Sequence, residues 1–187
     1  NPVGGARLIH AVNPDGTRRW RFDDFDYAEA GTCTDPVWSE RSDTLYVICN
    51  LGHWAGSEDH GFETYVTAIS ASGQKKWTTG FPLVDTPDGQ VRNPLLVGRF
   101  AAALRPDPSN GTDRLHIGTW GTPDIPATVY VFDQSGGVSL TDFVGTSDVV
   151  GLGFGQADRL FVVERNGRVV ALDGAYNIVW EHQVAGQ

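Results

Sequence analysis

A phrase of ten residues recurs four times along the chain and limits what the chain can fold into. In its first copy, Ala11–Asn13 is followed by a glycine three residues after the asparagine and by a tryptophan seven residues after it. The other copies keep these offsets, with two substitutions among the eight glycine and tryptophan positions, and run as Ala68–Trp77, Val131–Leu140 and Ala171–Trp180. Such self-similarity indicates a repeat architecture, in which each unit must stack on its neighbours.

A second phrase precedes three of the four copies and consists of an aspartate followed by a leucine, a ring and a β-branched residue. It runs as Asp43–Val47, Asp113–Ile117 and Asp158–Val162. Aspartate favours a turn, and the apolar run after it predicts a strand. Residues 35–38, 93–96 and 147–150 predict an earlier strand in each unit. We therefore expect units of four antiparallel strands, a to d, each forming one blade of a β-propeller.

Composition agrees with an all-β fold and excludes several classes of protein. The 23 Gly and 10 Pro residues are spread along the whole chain, which favours many turns over long helices. A net charge of −9 argues against a nucleic-acid partner or a basic membrane-binding surface. No apolar run reaches the roughly 20 residues of a membrane span, so none is expected.

The length of the chain limits the number of blades that it can form. Residues 1–187 are predicted to form a single β-propeller domain or propeller fragment, with a half-blade at 7–22 and blades at 33–81, 91–143 and 147–184. The strands missing from the half-blade need about fifteen residues, and only residues 181–187 follow Trp180. We therefore expect further blades of a longer chain, or another polypeptide, to complete the half-blade, because an unpaired edge promotes aggregation. A closed four-bladed ring is the alternative.

These phrases resemble the PQQ-like β-propeller repeat, which is also found in bacterial outer-membrane assembly scaffolds and quinoprotein dehydrogenases. In that family the strand-d tryptophan docks between adjacent blades, so the resemblance implies this role for Trp20, Trp77 and Trp180. It implies an architecture rather than an activity. A quinoprotein would carry adjacent cysteines over its cofactor, whereas Cys33 and Cys49 are separated by sixteen positions. No cofactor is therefore expected.

The two cysteines open strand a and close strand b of one hairpin, nearly equidistant from the turn at residues 41–42. Residues placed in this way face each other across the hairpin, which predicts a disulfide between Cys33 and Cys49. Two reduced, buried thiols are the alternative. A disulfide implies an oxidising compartment, so the protein is expected to be extracellular or periplasmic. Asn110 begins an Asn-Gly-Thr pattern that can accept a glycan in a suitable host.

The connections of the blades differ in length. In a propeller the b–c and d–a connections share one rim, and here they are long, whereas the c–d turns on the opposite rim are tight. Binding residues concentrate on such loops, and we call this the long-loop rim. Its candidate ligand-binding residues are Tyr27, His53, Trp54, Asp59, His60, Trp120 and Asp124. Indole rings beside carboxylates suit a carbohydrate, although both tryptophans could instead cover the ends of the blades.

Two further groups of residues were considered as ligands. Asp23, Asp24 and Asp26 could supply oxygens to Ca²⁺, but their spacing matches no defined loop, and a solvated acidic turn is the alternative. His116 aligns with Tyr46 and Phe161 in strand b, and is therefore predicted to be a packed ring.

The leading hypothesis is a non-enzymatic, extracytoplasmic binding or scaffold module that takes a carbohydrate or a protein on the long-loop rim. No nucleophile elbow, phosphate loop or zinc-protease motif is visible in the sequence. The first alternative is a fragment of a quinoprotein-like or glycan-processing propeller enzyme. The second is a self-assembling structural subunit whose half-blade is completed by a neighbouring chain.

Overall fold

Strands make up almost all of the regular structure. The computed structural model describes residues 9–24, 31–52, 62–81, 84–86, 89–91, 97–107, 109–121 and 125–184. Within these ranges the chain forms strands and one 3₁₀ turn at Gln156–Asp158, with no α-helix. The prediction of an all-β fold is therefore confirmed. The described residues contain no helix that could span a membrane.

The strands fall into four sheets and follow one another closely along the chain. In order they are β1 Ile9–Val12, β2 Arg18–Phe22, β3 Gly31–Cys33, β4 Val37–Ser39, β5 Thr44–Gly52, β6 Phe62–Ser70, β7 Lys75–Gly80, β8 Val84–Thr86, β9 Gly89–Val91, β10 Val97–Pro106, β11 Asp113–Thr119, β12 Val129–Phe132, β13 Val138–Leu140, β14 Val149–Phe154, β15 Leu160–Glu164, β16 Arg168–Leu172 and β17 Ile178–Gln183.

Three antiparallel units and one hairpin carry the repeated phrases. We call β1–β2 the hairpin unit, β3–β7 the first unit, β10–β13 the second unit and β14–β17 the third unit. Each of the three larger units is a meander in which successive strands pair. In the first unit the opening strand is split, and β3 and β4 both pair with β5. Pro36 lies at the break, where a residue without a backbone N–H is tolerated.

The first strands of the three units lie side by side. β10 contacts β4 of the first unit and β14 of the third. The pairing with β14 is parallel and joins Phe100 to Gly151, which links the second and third units into one eight-stranded sheet. Contacts between their first strands thus join the three meanders to one another.

The repeated glycine has a conformational reason. Gly16, Gly73 and Gly136 have φ values of 83°, 82° and 85°, in the left-handed region that favours glycine. Tyr176, which replaces glycine in the last copy, has a φ of 67°. The four turns thus share one backbone conformation.

Two apolar clusters hold the units together. The larger lies between the three larger units and includes Ile48, Phe132 and Leu160. The smaller packs the hairpin unit on the first unit and includes Phe22 and Cys49. Cys49 is fully buried and bonded to Cys33 directly across the β3–β5 pair, so the structure contains the predicted disulfide.

Some predicted boundaries differ from the structure or lie beyond it. In the third unit the first strand begins at Val149, and Ser147 and Asp148 belong to the loop before it. In the second unit the first strand begins at Val97. Residues 93–96, where that strand was predicted, lie outside the described residues. The β8–β9 hairpin was not anticipated.

Candidate functional site

Trp20 and Trp77 each join one unit to the next. The Nε1–H of Trp20 donates to the carbonyl of Ala71 at 2.8 Å, and the Nε1–H of Trp77 donates to the carbonyl of Gln134 at 2.8 Å. Each acceptor lies two residues before the glycine of the next unit's turn. The ring of Trp77 also stacks on Phe132, with centroids 6.4 Å apart and planes 5° from parallel. The two joints therefore repeat one arrangement of a ring, a donor and a turn.

Glycine is also required by the tryptophan that lies on each turn. A Cβ at Gly73 would lie 2.8 Å from the Trp20 ring, and a Cβ at Gly136 would lie 2.9 Å from the Trp77 ring. Carbon atoms do not approach this closely without displacement. In each joint the tryptophan ring of one unit thus covers the glycine turn of the next unit. We call this arrangement of ring and turn a lock.

The joint between the second and third units is built differently. Leu140 stands where the tryptophan is expected, and Tyr176 stands where the glycine is expected. Arg105 supplies the missing donor, because its Nη1 donates to the carbonyl of Gly174 at 3.2 Å and its guanidinium pairs with Asp158. At this joint the aromatic ring is Tyr176 of the accepting turn, whereas at the other two joints it is a tryptophan of the donating unit.

His116 lies at the same joint and is fully buried, as its alignment with Tyr46 and Phe161 predicted. Its Nε2 lies 2.8 Å from the hydroxyl of Tyr176, and its Nδ1 lies 3.3 Å from the carbonyl of Arg114. Desolvation lowers the pKa of His116 to about 4. The ring is therefore neutral near pH 7, with Nδ1 as donor and Nε2 accepting from the tyrosine.

The long-loop rim contains a pocket, which is separate from the joints between units. It has a volume of about 390 Å³ and lies between the β11–β12 connection and the β13–β14 connection. These are the b–c and d–a connections, so the structure brings together two loops that the topology assigned to one rim. The lining residues are Gly121, Pro126, Ala127, Gly145, Thr146, Ser147 and Asp148.

Hydrogen bonds fix the loop that forms one wall of the pocket. The hydroxyl of Thr128 donates to the carbonyl of Phe143 at 2.7 Å, and the N–H of Gly145 donates to the carbonyl of Ala127 at 2.8 Å. The loop is therefore tied to the beginning of β12 before it turns towards β14.

A buried carboxylate holds the next residue of this wall. Glu164 is almost fully buried, and it accepts from the N–H of Thr146 at 3.1 Å and from its hydroxyl at 2.6 Å. Arg168 Nη1 donates to the same carboxylate at 3.1 Å, which compensates its charge. Thr146 is thus positioned by a charge-assisted network rather than by packing alone.

Asp148 connects the pocket to the predicted ligand residue Trp120. Its Oδ1 accepts from the N–H of Gly121 at 3.0 Å, and its Oδ2 pairs with Arg165 Nε at 3.0 Å. The guanidinium of Arg165 lies 4.7 Å from the centre of the Trp120 ring, a cation–π contact. The Nε1–H of Trp120 is buried and has no acceptor among the described residues. One face of this indole is therefore covered, and its N–H is unpaired.

Sequence reasoning found part of this site. Trp120 adjoins the pocket, whereas the other predicted ligand residues lie outside the described residues, namely Tyr27, His53, Trp54, Asp59, His60 and Asp124. The pocket residues Thr146, Ser147 and Asp148 were missed, because Ser147 and Asp148 were assigned to a strand. The signal that could have identified them is the glycine at 145, which separates a polar run from the strand before it.

The acidic turn and the glycan acceptor remain open predictions. Asp23 pairs with Arg21 at 2.5 Å and Asp24 pairs with Lys75 at 3.2 Å, while Asp26 lies outside the described residues. The part of the chain that the structure describes holds no group of three or more metal-ligating side chains. Asn110 is exposed, and its side-chain oxygen accepts from the N–H and the hydroxyl of Thr112 at 3.0 Å and 2.6 Å.

Neither a scan against protein-family models nor a search of curated proteins found a match.

Proposed function

We propose that this chain is a non-enzymatic binding or scaffold module of the β-propeller type. In this proposal the pocket on the long-loop rim receives a hydroxyl-rich ligand such as a carbohydrate. The architecture is supported by the three meanders, by the contacts between their first strands and by the tryptophan locks. The resemblance of the repeated phrases to PQQ-like β-propeller repeats supports it as well.

The pocket carries the proposal about the ligand. Its volume of about 390 Å³ lies within the range of about 300–1,000 Å³ found for small-molecule sites. Its wall presents the hydroxyls of Thr146 and Ser147 and the carboxylate of Asp148, which are groups that pair with sugar hydroxyls. Trp120 directly precedes the lining residue Gly121, and its ring is held by the guanidinium of Arg165.

Binding is favoured over catalysis because Asp148, the carboxylate among the described pocket residues, already pairs with Arg165 and accepts from the N–H of Gly121. The histidines within the described residues are His10, His116 and His182, and none of them lines the pocket. A serine or threonine hydroxyl needs such a base to act as a nucleophile. A quinoprotein-like or glycan-processing enzyme remains the alternative proposal, with its chemistry elsewhere on the rim.

The disulfide supports an extracytoplasmic location. The bond joins Cys33 to the fully buried Cys49, which packs beneath the hairpin unit. Bonds of this kind persist in secreted and periplasmic proteins and are rare in a reducing cytosol.

A glycan array followed by an NMR titration tests the proposed ligand class. We expect a glycan that binds to shift the amide signals of Gly121 and Thr146, which line the pocket. Ser147→Trp places a large ring in the pocket and should weaken binding at least about tenfold, which is 1.4 kcal/mol. Ala175→Trp adds the same ring to an exposed turn of the opposite rim and should leave binding unchanged.

The two variants also separate the ligand classes. Binding that survives Ser147→Trp would exclude the pocket as the site. The ligand class would instead be protein if no glycan binds and a captured protein binds the wild type and Ala175→Trp but not Ser147→Trp.

A further inference from the structure

The outer face of the third unit has the composition of an interface. Its strands match those of the first unit position by position, so Phe161 and Val163 correspond to Tyr46 and Ile48. In the first unit this face is covered by the second unit, and Tyr46 and Ile48 are 1% and 0% exposed. In the third unit Val163 is 38% exposed. A face of this kind in the open is characteristic of an interaction surface.

Trp180 lies on this face, in β17, the last strand of the sheet. It occupies the position of Trp20 and Trp77, opposite Ala171 in the sheet as Trp77 is opposite Ala68. It is nevertheless 40% exposed, and its ring contacts Phe161 of its own unit at 5.9 Å. Among the described residues, no turn carbonyl accepts from its Nε1–H. The third unit thus carries the donating half of a lock without an accepting turn.

The hairpin unit carries the opposite half. Its turn has the same conformation as the turns that receive Trp20 and Trp77, yet a Cβ at Gly16 would meet no described atom within 4 Å. Val12 corresponds to Phe132, which lies under the Trp77 ring, and Val12 is 65% exposed. The hairpin therefore presents an apolar residue, an open glycine turn and a carbonyl at Pro14 that accepts no hydrogen bond from the described residues.

The joint between the second and third units shows why an open glycine matters. There the tryptophan is replaced by Leu140, and the turn accommodates Tyr176 at a φ of 67°. The left-handed turn thus tolerates a large side chain when no indole covers it. Position 16 carries the glycine that fits beneath a tryptophan, although no described residue of the same molecule covers it.

We propose that Trp180 of one molecule docks on the turn at Asn13–Thr17 of a second copy of this chain. The Nε1–H of Trp180 donates to the carbonyl of Pro14, as Trp20 donates to Ala71 and Trp77 donates to Gln134. Trp180 and Val12 are both exposed, so the two surfaces do not meet within the residues that the structure describes, and a second copy supplies each surface with its partner.

This contact joins two different surfaces and is therefore heterologous. Copies add head to tail, and the product is a ring if the rotation closes or a filament if it does not. The inference rests on the locks between units and is independent of the rim pocket, so either can fail without the other.

Sedimentation velocity over a range of protein concentrations tests this assembly. We expect wild-type protein to shift from monomer to dimer and larger species as the concentration rises. Trp180→Ala should weaken association at least about 30-fold, because an interface tryptophan commonly contributes that much. Ile178→Ala is its control, since Ile178 is 51% exposed on the same strand but pairs opposite Leu172 and faces the other way.

The accepting half is tested by Gly16→Asn. Asparagine tolerates the left-handed conformation, but its Cβ would occupy the space that the docked ring needs. Association should fall by a similar factor. Gly111→Asn is the control, because Gly111 also has a positive φ and open space around its Cβ but lies in a different turn.

Mixing the two variants gives the sharpest readout. The Trp180→Ala copy keeps an intact hairpin turn and the Gly16→Asn copy keeps Trp180, so together they have one functional contact. We expect a 1:1 dimer that does not grow further. Wild-type protein that stays monomeric at every concentration would overturn the proposal, and so would association that neither variant weakens.

Discussion

Trp77 and Trp180 occupy the same position of the repeat in different surroundings, so they form a matched pair. Trp77 donates to Gln134 and packs between two units, while Trp180 lies on an open face. Trp77→Ala should lower the free energy of unfolding by about 3 kcal/mol, because this partly buried ring packs against the core. Trp180→Ala should lower it by less than about 1 kcal/mol. Urea denaturation of dilute protein measures both, and equal losses would contradict the lock.

Gly136 and Gly16 form a second pair. Both have φ values near 85°, but a Cβ at Gly136 would also lie 2.7 Å from the Thr79 hydroxyl and 2.9 Å from the Trp77 ring. Gly16→Ala should cost about 1 kcal/mol from the backbone alone. Gly136→Ala should cost about 3 kcal/mol, because overpacking adds to the strain. Equal costs in urea denaturation would mean that the turn glycine serves the backbone only.

His116 should make the stability of the protein depend on pH. Its pKa is about 4 in the folded protein, against 6.5 unfolded, because burial disfavours the imidazolium. The unfolded chain therefore binds more protons between these values. The stabilisation is complete above pH 6.5 and decreases as the pH falls to 4, by about 3 kcal/mol in total. Unfolding measured from pH 7 to 4 should show this decrease.

The control for this prediction is His116→Phe, which keeps a ring where the other units have Tyr46 and Phe161. This variant should lose most of the change in stability between pH 6.5 and 4. Hydrogen bonds from Ser109 and the nearby Arg114 lower the pKa of Asp107 to about 2. This carboxylate therefore affects stability only at lower pH. A pH profile that is the same in the variant and the wild type would assign the effect to another group.

Residues with one dominant constraint could be predicted from the sequence. The glycine and tryptophan of the repeat were identified because a left-handed turn and an interunit ring each allow few residue types. Arg105 could not be identified, since its role arises only after Leu140 replaces the tryptophan and the partner turn carries Tyr176. Such compensation depends on which units become neighbours in the folded chain.

At the scale of elements, the disulfide fastens the split first strand of the first unit. Cys33 lies in β3, which is separated from β4 by Thr34–Pro36, and its bond to Cys49 holds β3 against β5. Replacing both cysteines with serine should lower the free energy of unfolding by about 3 kcal/mol, as expected for a loop of this length. Urea denaturation compares the variant with oxidised and reduced wild type. A variant as stable as the oxidised protein would contradict this role.

Elements with strong local patterns were predicted well, and those set by their neighbours were not. The Asp-to-β-branched phrases correspond to β5, β11 and β15, and the repeated phrases correspond to the last two strands of each unit. The last two strands of a unit pair with a register shift in three copies of the repeat, but β12 and β13 pair without one. No local sequence pattern predicts this difference. The pocket was missed for a similar reason, because its walls come from two loops about twenty residues apart.

At the scale of the whole molecule, the two rims have different roles in this account. The tight turns of one rim receive the tryptophan or arginine of the preceding unit. On the other rim, the described parts of the β11–β12 and β13–β14 connections line the pocket. We propose that stacking and ligand binding are thereby separated, so that variants of Trp180 and of Ser147 should affect assembly and ligand binding independently.

The central claim is that the indoles of Trp20 and Trp77 each dock on the turn of the next unit. Hydrogen exchange of the tryptophan Nε1–H groups, followed by NMR on protein with labelled indoles, tests it most directly. In dilute protein, Trp20 and Trp77 should exchange at least about tenfold more slowly than Trp180, because their N–H groups are bonded to turn carbonyls. Exchange at Trp77 as fast as at Trp180 would contradict the account.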